Sequence, residues 1–251
     1  MEQQDEGMSL VEHLTELRKR VIWVIAVLIV GMVIGLIFAQ PLIIYFKTVP
    51  PANTINWNVF SPGDSLRMYM NFGLLVGLIV TLPVAMYHLW AFLKPGLRVE
   101  EQKASLMFVP FAFLLFLIGL AFGYFVVFRM AFIFTSSISK NLQLTETYGI
   151  SQYFSFMFNI IIPLSLLFEL PIVAMFLTKL RILNPMLMRK LRRYAYLLLV
   201  IVAAVITPPD ATSMILVFLP MIVLYEFSTF LSGFIYRRQL IRDKEWEDDK
   251  S

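Results

Sequence analysis

Six apolar runs separated by polar segments organise this chain: Val21 to Ala39, Tyr69 to Trp90, Leu106 to Phe128, Tyr153 to Thr178, Tyr194 to Ile206 and Met214 to Ile235. Most reach the roughly 20 residues that a bilayer-crossing helix needs, so the pattern predicts six transmembrane helices. The fifth run is the exception. Residues 194–206 would extend roughly 20 Å at about 1.5 Å per residue, against about 30 Å of hydrocarbon. Either this helix borrows residues from the Arg189 to Arg193 cluster by snorkelling, or the bilayer thins beside it. Thinning is the preferred reading.

The polar segments differ in kind. Thr207-Pro208-Pro209-Asp210-Ala211-Thr212-Ser213 is short enough to make the last two spans an antiparallel hairpin. Gln40 to Arg67 is longer, carries Pro41, Pro50, Pro51 and Pro62, and reads as an outer segment able to cap the bundle, with a turn at Phe60-Ser61-Pro62-Gly63-Asp64. Prolines also fall inside the runs, at Pro83, Pro110, Pro163, Pro171 and Pro220. Each removes one backbone bond and can bend its helix. The expected fold is an all-α integral membrane protein: a single transmembrane domain over 1–251, built as a curved, proline-kinked bundle with a short fifth helix. Residues 1–20 form an amphipathic N-terminal helix, and 236–251 a charged tail. No internal repeat is visible, unlike many secondary transporters.

Charge orients the spans. Of the 21 Lys and Arg residues, 17 lie in Met1 to Arg20, Ala91 to Ser105, Lys179 to Arg193 and Tyr236 to Ser251. The alternate segments, Gln40 to Arg67, Arg129 to Gln152 and Pro208 to Ser213, hold 2, 2 and 0. Cytoplasmic loops carry the basic excess, so both termini are assigned to the cytoplasm, and an even number of spans follows. The acidic start (Glu2, Asp5, Glu6), with no small-residue cleavage site after the first run, reads as a retained span and not a signal peptide.

Composition narrows the function class. The chain is 59% hydrophobic and 15% charged, well away from the roughly 45–50% and about 25% of soluble domains. Its net charge of +4 comes from the inner clusters. It therefore reports orientation and contact with anionic lipid, and no nucleic-acid partner is expected. With no cysteine, and only His13 and His88 as imidazoles, metal or cofactor chemistry is not expected. No HExxH, GxSxG or Ser/His pairing falls within the spans, so the chain is not read as an enzyme.

Two carboxylate clusters sit on the predicted inner face. Ser9-Leu10-Val11-Glu12 forms a capping box, and Leu10, Leu14, Leu17 and Val21 share one helical face. Glu12 and Glu16, four apart, lie together on the polar side. Arg20 offers Glu16 an intrahelical partner, and an external cation is the alternative. Between the second and third runs, Trp90, Phe92 and the turn at Pro95-Gly96 precede Glu100 and Glu101. Separately these residues read as an interfacial aromatic belt and a helix start favoured by the macrodipole. Together they would suit a peptide in which arginines precede a hydrophobic stretch.

Within the runs, Glu169 lies between Pro163 and Pro171. An intramembrane acid is expensive and marks function by default. Glu226, near Ser228 and Thr229, could instead bond a neighbouring helix. Asp210 stands where an N-cap of the sixth span belongs. His88 is expected to face water at an inner helix end.

These residues resemble the TatC family of the twin-arginine translocase along essentially the whole chain. The resemblance is carried by His13-Leu14-Thr15-Glu16-Leu17-Arg18-Lys19-Arg20, by Pro83-Val84 through Tyr87 with Trp90-Ala91-Phe92 and Pro95, and by Gly123-Tyr124-Phe125. Further matches are Phe168-Glu169-Leu170-Pro171, Leu183-Asn184-Pro185 and Thr207-Pro208-Pro209-Asp210. The resemblance implies a receptor for the twin-arginine signal peptides of folded precursors. It would work with single-span TatA- and TatB-type partners and be driven by the proton-motive force. By motif position, Glu16, Arg18, Phe92 and the Glu100/Glu101 pair would bind the signal peptide. Glu169 matches the family's buried glutamate, and Asp210 the acid of its outer turn. A prokaryotic cytoplasmic membrane, contact with membrane lipids and self-association are the matching expectations. The rival class is a proton-coupled secondary transporter of a small solute, which Glu169 in a proline-kinked span would also suit.

Overall fold

The computed structural model describes residues 10–97, 99–207 and 211–248, with the side chains of 10–13, 99, 100, 104, 213, 242 and 244–248 left aside. The described chain folds into α1 (Leu10–Thr48), α2 (Gly63–Leu93), α3 (Val99–Leu106), α4 (Phe108–Phe122), α5 (Arg129–Asn141), α6 (Ile150–Leu167), α7 (Leu170–Lys179), α8 (Pro185–Ile206) and α9 (Ala211–Asp248). In hydrocarbon every backbone N–H and C=O must be satisfied within the segment, so apolar runs of this length have no alternative to the helix. Five stretches are long and apolar enough to cross a bilayer: Leu14–Thr48, Gly63–Gly96, Glu101–Asn141, Ile150–Lys179 and Met214–Ile241. The anticipated fifth span lies in α8, whose 22 residues include Arg189, Lys190, Arg192 and Arg193 in the first half. Those charges keep it outside the five.

The helices stand in an open row. Helix α1 packs along α2, α2 reaches α4 and α6, α7 packs on α9, and α9 carries α8 at the opposite end. Of two apolar clusters, the first runs from α1 to α9 and the second joins α2, α4 and α7. One centres on Phe72, Phe128, Phe154 and Leu164, the other on Trp90, Phe116 and Phe176.

Several elements depart from the expectation. Helix α1 runs through Pro41 to Thr48, so the anticipated outer segment is shorter at its start. Its remainder does cover the helix ends. Trp57 lies edge-on to Tyr153 and stacks on Phe154, and Trp57–Asn58 (β1) pairs in parallel with Tyr148–Gly149 (β2). The turn at Phe60 to Asp64 is closed by the Asp64 carboxylate, which accepts from the amides of Phe60 and Ser61 at 3.1 Å each. Of the prolines expected inside spans, Pro83, Pro163 and Pro220 do lie within helices. Pro110 and Pro171 sit in the first turns of α4 and α7, where a missing N–H costs nothing. The third run is not one α-helix, because Gly123–Phe128 forms a π-helical turn between α4 and α5. The charged tail continues α9 as helix to Asp248. It is strapped to the end of α7 by Gln239 donating to the Lys179 carbonyl and by Arg181 on Asp243.

Candidate functional site

The end of the helix row that carries the basic segments is positioned by a glycine seam. Gly31 and Gly35 of α1 face Gly77 and Gly73 of α2 in antiparallel register. A Cβ added at Gly35 would lie 2.7 Å from the Gly73 carbonyl oxygen and 2.9 Å from its Cα. Small residues four apart let helix backbones approach closely in a membrane, where no hydrophobic drive holds helices together. This seam sets the height at which the start of α1 meets the end of α2.

At that meeting point Arg20 makes two kinds of contact. Its Nε donates to Glu16 Oε1 at 3.0 Å, with Nη2 on the same oxygen, and Nη2 also reaches the Ala91 carbonyl at 3.3 Å. The i,i+4 pair anticipated from spacing is therefore formed, and it is used to tie α1 to α2. Beside it lies a pocket of about 210 Å³ whose wall includes Leu17, Val21, Arg20, His88 and Phe92. Phe92 is half-buried there and Arg18 is exposed. His88 does not face water as expected. Its ring is half-buried in this pocket, and Nδ1 is covered with no hydrogen-bond partner among the described residues.

The turn after α2 is held by Trp90, which is buried (8% exposed) and not the exposed aromatic that its position suggested. Its Nε1 donates to the Gln102 carbonyl and to Ser105 Oγ, both at 3.3 Å. Gln102 Nε2 returns to the carbonyls of Lys94 and Leu97. Lys94 lies over the Trp90 ring at 5.6 Å. Trp90→Phe is expected to lower stability by about 1 kcal/mol, the usual worth of one lost donor, read as a reduced thermal unfolding temperature in detergent.

Glu101 is 6% exposed and engaged within the fold, so this carboxylate is not the open surface group that the sequence implied. The Glu100 side chain and Asp210 lie outside the described residues. The structure thus brings Glu16, Arg20 and Phe92 together around one pocket, with Glu101 buried in α3 just beyond the turn. Arg20 and the Ala91 carbonyl were not anticipated as a bridge. A backbone acceptor has no sequence signature.

Glu169 occupies a break between α6 and α7. Its N–H bonds the Leu166 carbonyl at 3.1 Å and its carbonyl accepts from Val173, while its carboxylate is 7% exposed and neither oxygen has a partner among the described residues. Pro171 explains the break, since it has no N–H to offer the Leu167 carbonyl. Glu226 takes the neighbouring-helix option: it accepts from Arg192 at 2.7 Å and from the Tyr196 hydroxyl at 2.5 Å, both on α8.

Comparison with known proteins places this geometry. Residues 12–220 match the family model described as Sec-independent protein translocase protein (TatC). The chain is 39% identical over 250 residues to the Sec-independent protein translocase protein TatC of Halalkalibacterium halodurans, covering 98% of this chain and 99% of the relative. It is 41% identical over 231 residues to TatCy of Bacillus subtilis, covering 92% and 91%. Among solved structures it resembles a crystal structure of the twin-arginine translocase receptor TatC, with a TM-score of 0.79 and 29% identity over 89% of this chain and 99% of that one. The chain is a multi-pass membrane protein and belongs to the TatC family of Sec-independent protein translocase components, which are not enzymes.

Proposed function

We propose that this chain is the receptor of a twin-arginine export system and takes the signal peptide at its basic end. The observation that carries this reading is the pocket between α1 and α2, apolar inside and rimmed by Arg20 with its partner Glu16. A peptide with two arginines followed by an apolar stretch matches it in order. The apolar stretch fills the pocket against Leu17, Val21 and Phe92, and the arginines go to Glu16 and to the Glu100/Glu101 pair. Arg18, exposed on α1 next to Leu17 and two residues from both Glu16 and Arg20, contacts the peptide backbone from outside the pocket.

Arginine is favoured over lysine because its planar fork bonds a carboxylate in two places. Exposed pairs contribute only about 0–1 kcal/mol each, whereas desolvated charge-assisted bonds contribute roughly 1.5–3. Glu101 is buried and already engaged within the fold, so an arginine that takes its carboxylate replaces that contact and belongs to the second class. Arg20 holds Glu16 through Oε1 alone, and a peptide arginine that takes both carboxylate oxygens displaces that side chain. Displacement would release the Ala91 carbonyl and loosen α1 from α2, giving binding a mechanical consequence.

In this reading the chain crosses the cytoplasmic membrane of a prokaryote six times with both termini inside, and the fifth crossing is α8, a 22-residue helix longer than the short one anticipated, with its apolar part confined to residues 194–206. Glu226 is satisfied between α8 and α9 and acts structurally. Glu169 awaits a donor from the peptide or from a single-span TatA- or TatB-type partner. Translocation of folded cargo draws on the proton-motive force. Lengthening the apolar part of α8 with leucines is expected to reduce export severalfold, because the local thinning of the bilayer is lost. Undiminished export would count against thinning.

The direct test is crosslinking of the purified protein in membranes to a peptide bearing paired arginines, against the same peptide with paired lysines, in wild type and in Glu16→Ala/Glu101→Ala. Arginine-selective capture that disappears in the double variant is the expected result. Equal capture of both peptides, or capture indifferent to the substitutions, sinks the assignment.

A further inference from the structure

A second apolar trough opens on the opposite half of the helix row, between α1 and the π-helical turn, floored by α2 and α6. Its volume is about 360 Å³, and its wall includes Phe46, Ile79, Leu120, Phe158 and Ile161. Two hydroxyl-bearing rings, Tyr45 and Tyr124, interrupt this lining. The Tyr124 hydroxyl is covered and has no hydrogen-bond partner among the described residues. A buried polar group is normally satisfied, so this one indicates a missing acceptor. Arg129 follows Tyr124 by five residues across the π-helical turn, whose i→i+5 repeat brings it back to the same side of the span. Arg129 opens α5, is exposed, and has no acidic partner among the described ion pairs.

The polar rim decides between occupants. A partner's transmembrane helix has its backbone carbonyls bonded within itself, and so offers no acceptor to the Tyr124 hydroxyl and no anion to Arg129. A single unbranched hydrocarbon chain can enter. Along the third span the order is apolar Leu120, then the Tyr124 hydroxyl, then the Arg129 guanidinium. Acyl chain, ester carbonyl and phosphate follow one another in that same order in a glycerophospholipid. Arginine is suited to phosphate, and a tyrosine placed between apolar and wet surroundings suits the ester level of a bilayer.

We infer that this trough is a phospholipid site: one acyl chain fills it, the Tyr124 hydroxyl donates to an ester carbonyl oxygen, and the Arg129 guanidinium binds the phosphate. The site rests on the trough and its polar rim. Its assignment to the outer leaflet rests in addition on the orientation proposed above. A structural lipid at this position would wedge α1 against α4, two helices with little direct packing between them.

The test uses the full chain in nanodiscs of phosphatidylglycerol that contain a fraction of the same lipid with a diazirine on one acyl chain. Photolabel is expected to concentrate on Ile79, Leu120 and Ile161 relative to the lipid-exposed Leu197 and Val205 of α8. Tyr124→Phe, which keeps the ring packing, is expected to cut trough labelling about fivefold, and Arg129→Gln roughly tenfold or more. Labelling equal on trough and α8 face, or indifferent to both substitutions in folded protein, overturns the inference. So does trough labelling that falls as protein concentration rises at fixed lipid, since a second copy of the chain would then be the occupant. Capture of the paired-arginine peptide is scored on the same variants. Retained capture with lost lipid labelling separates this site from the receptor reading.

Discussion

Gly35→Leu is expected to detach α1 from α2 and abolish capture of a paired-arginine peptide. The added Cβ alone meets the Gly73 carbonyl oxygen at 2.7 Å, the Gly73 Cα at 2.9 Å and the Val76 Cβ at 2.9 Å. Two of these three atoms are backbone, so no rotamer change relieves the clash and the helices must separate. Overpacking of this kind costs about 1–3 kcal/mol or more, a large share of the roughly 5–15 kcal/mol that holds a domain folded. Helix α1 has little else to hold it, since its packing is almost entirely on α2. Separation would pull Arg20 from the Ala91 carbonyl and open the pocket that Leu17 and Phe92 line. Gly63→Ala is the control, because a Cβ there meets only Ser61 Oγ at 3.9 Å, and it should leave both unfolding temperature and capture unchanged. Wild-type unfolding temperature and capture in Gly35→Leu would show that the seam is not what sets the site.

The spacing of four between Gly31 and Gly35, and again between Gly73 and Gly77, is legible in the sequence, but which pair meets which is a property of the packed helices. The same division runs through the candidate site. The Glu16–Arg20 pair follows from i,i+4 spacing, while the third member, the Ala91 carbonyl, depends on how high α1 stands against α2. The break before Glu169 follows from Pro171. The π-helical turn at Gly123–Phe128 does not follow from any local signal. Pro41 misled in the other direction: it reads as the end of a span, yet α1 continues through it for seven residues to Thr48, because a helix in a membrane protein can have its freed carbonyl satisfied by local adjustment. Glu101 reads as a solvated charge at a helix start. Its burial arises because α3 folds back toward α2, held by Trp90 and Ser105, and that turn geometry is set by tertiary contacts.

Glu169→Leu is expected to stabilise the isolated protein while disabling export. A carboxyl group at 7% exposure with no donor on either oxygen carries a desolvation cost that nothing among the described residues offsets. An unsatisfied buried polar group costs about 1–3 kcal/mol, and an apolar side chain of similar volume removes that cost. The expected readout is a rise of several degrees in thermal unfolding of the purified protein. Glu169→Gln keeps the polar bulk and should leave unfolding near wild type. Export should move the other way. If the carboxyl group is held ready for a donor on the signal peptide or on a single-span partner, then leucine removes the acceptor and transport falls at least tenfold, as expected for a lost charge-assisted bond of about 1.5–3 kcal/mol. A stabilised variant that exports normally would make Glu169 a tolerated defect of the fold. A destabilised one would mean that the carboxyl has a partner inside the protein. Opposite signs for stability and transport are the signature of a group kept at a cost for what it binds, because a purely structural role moves both in the same direction.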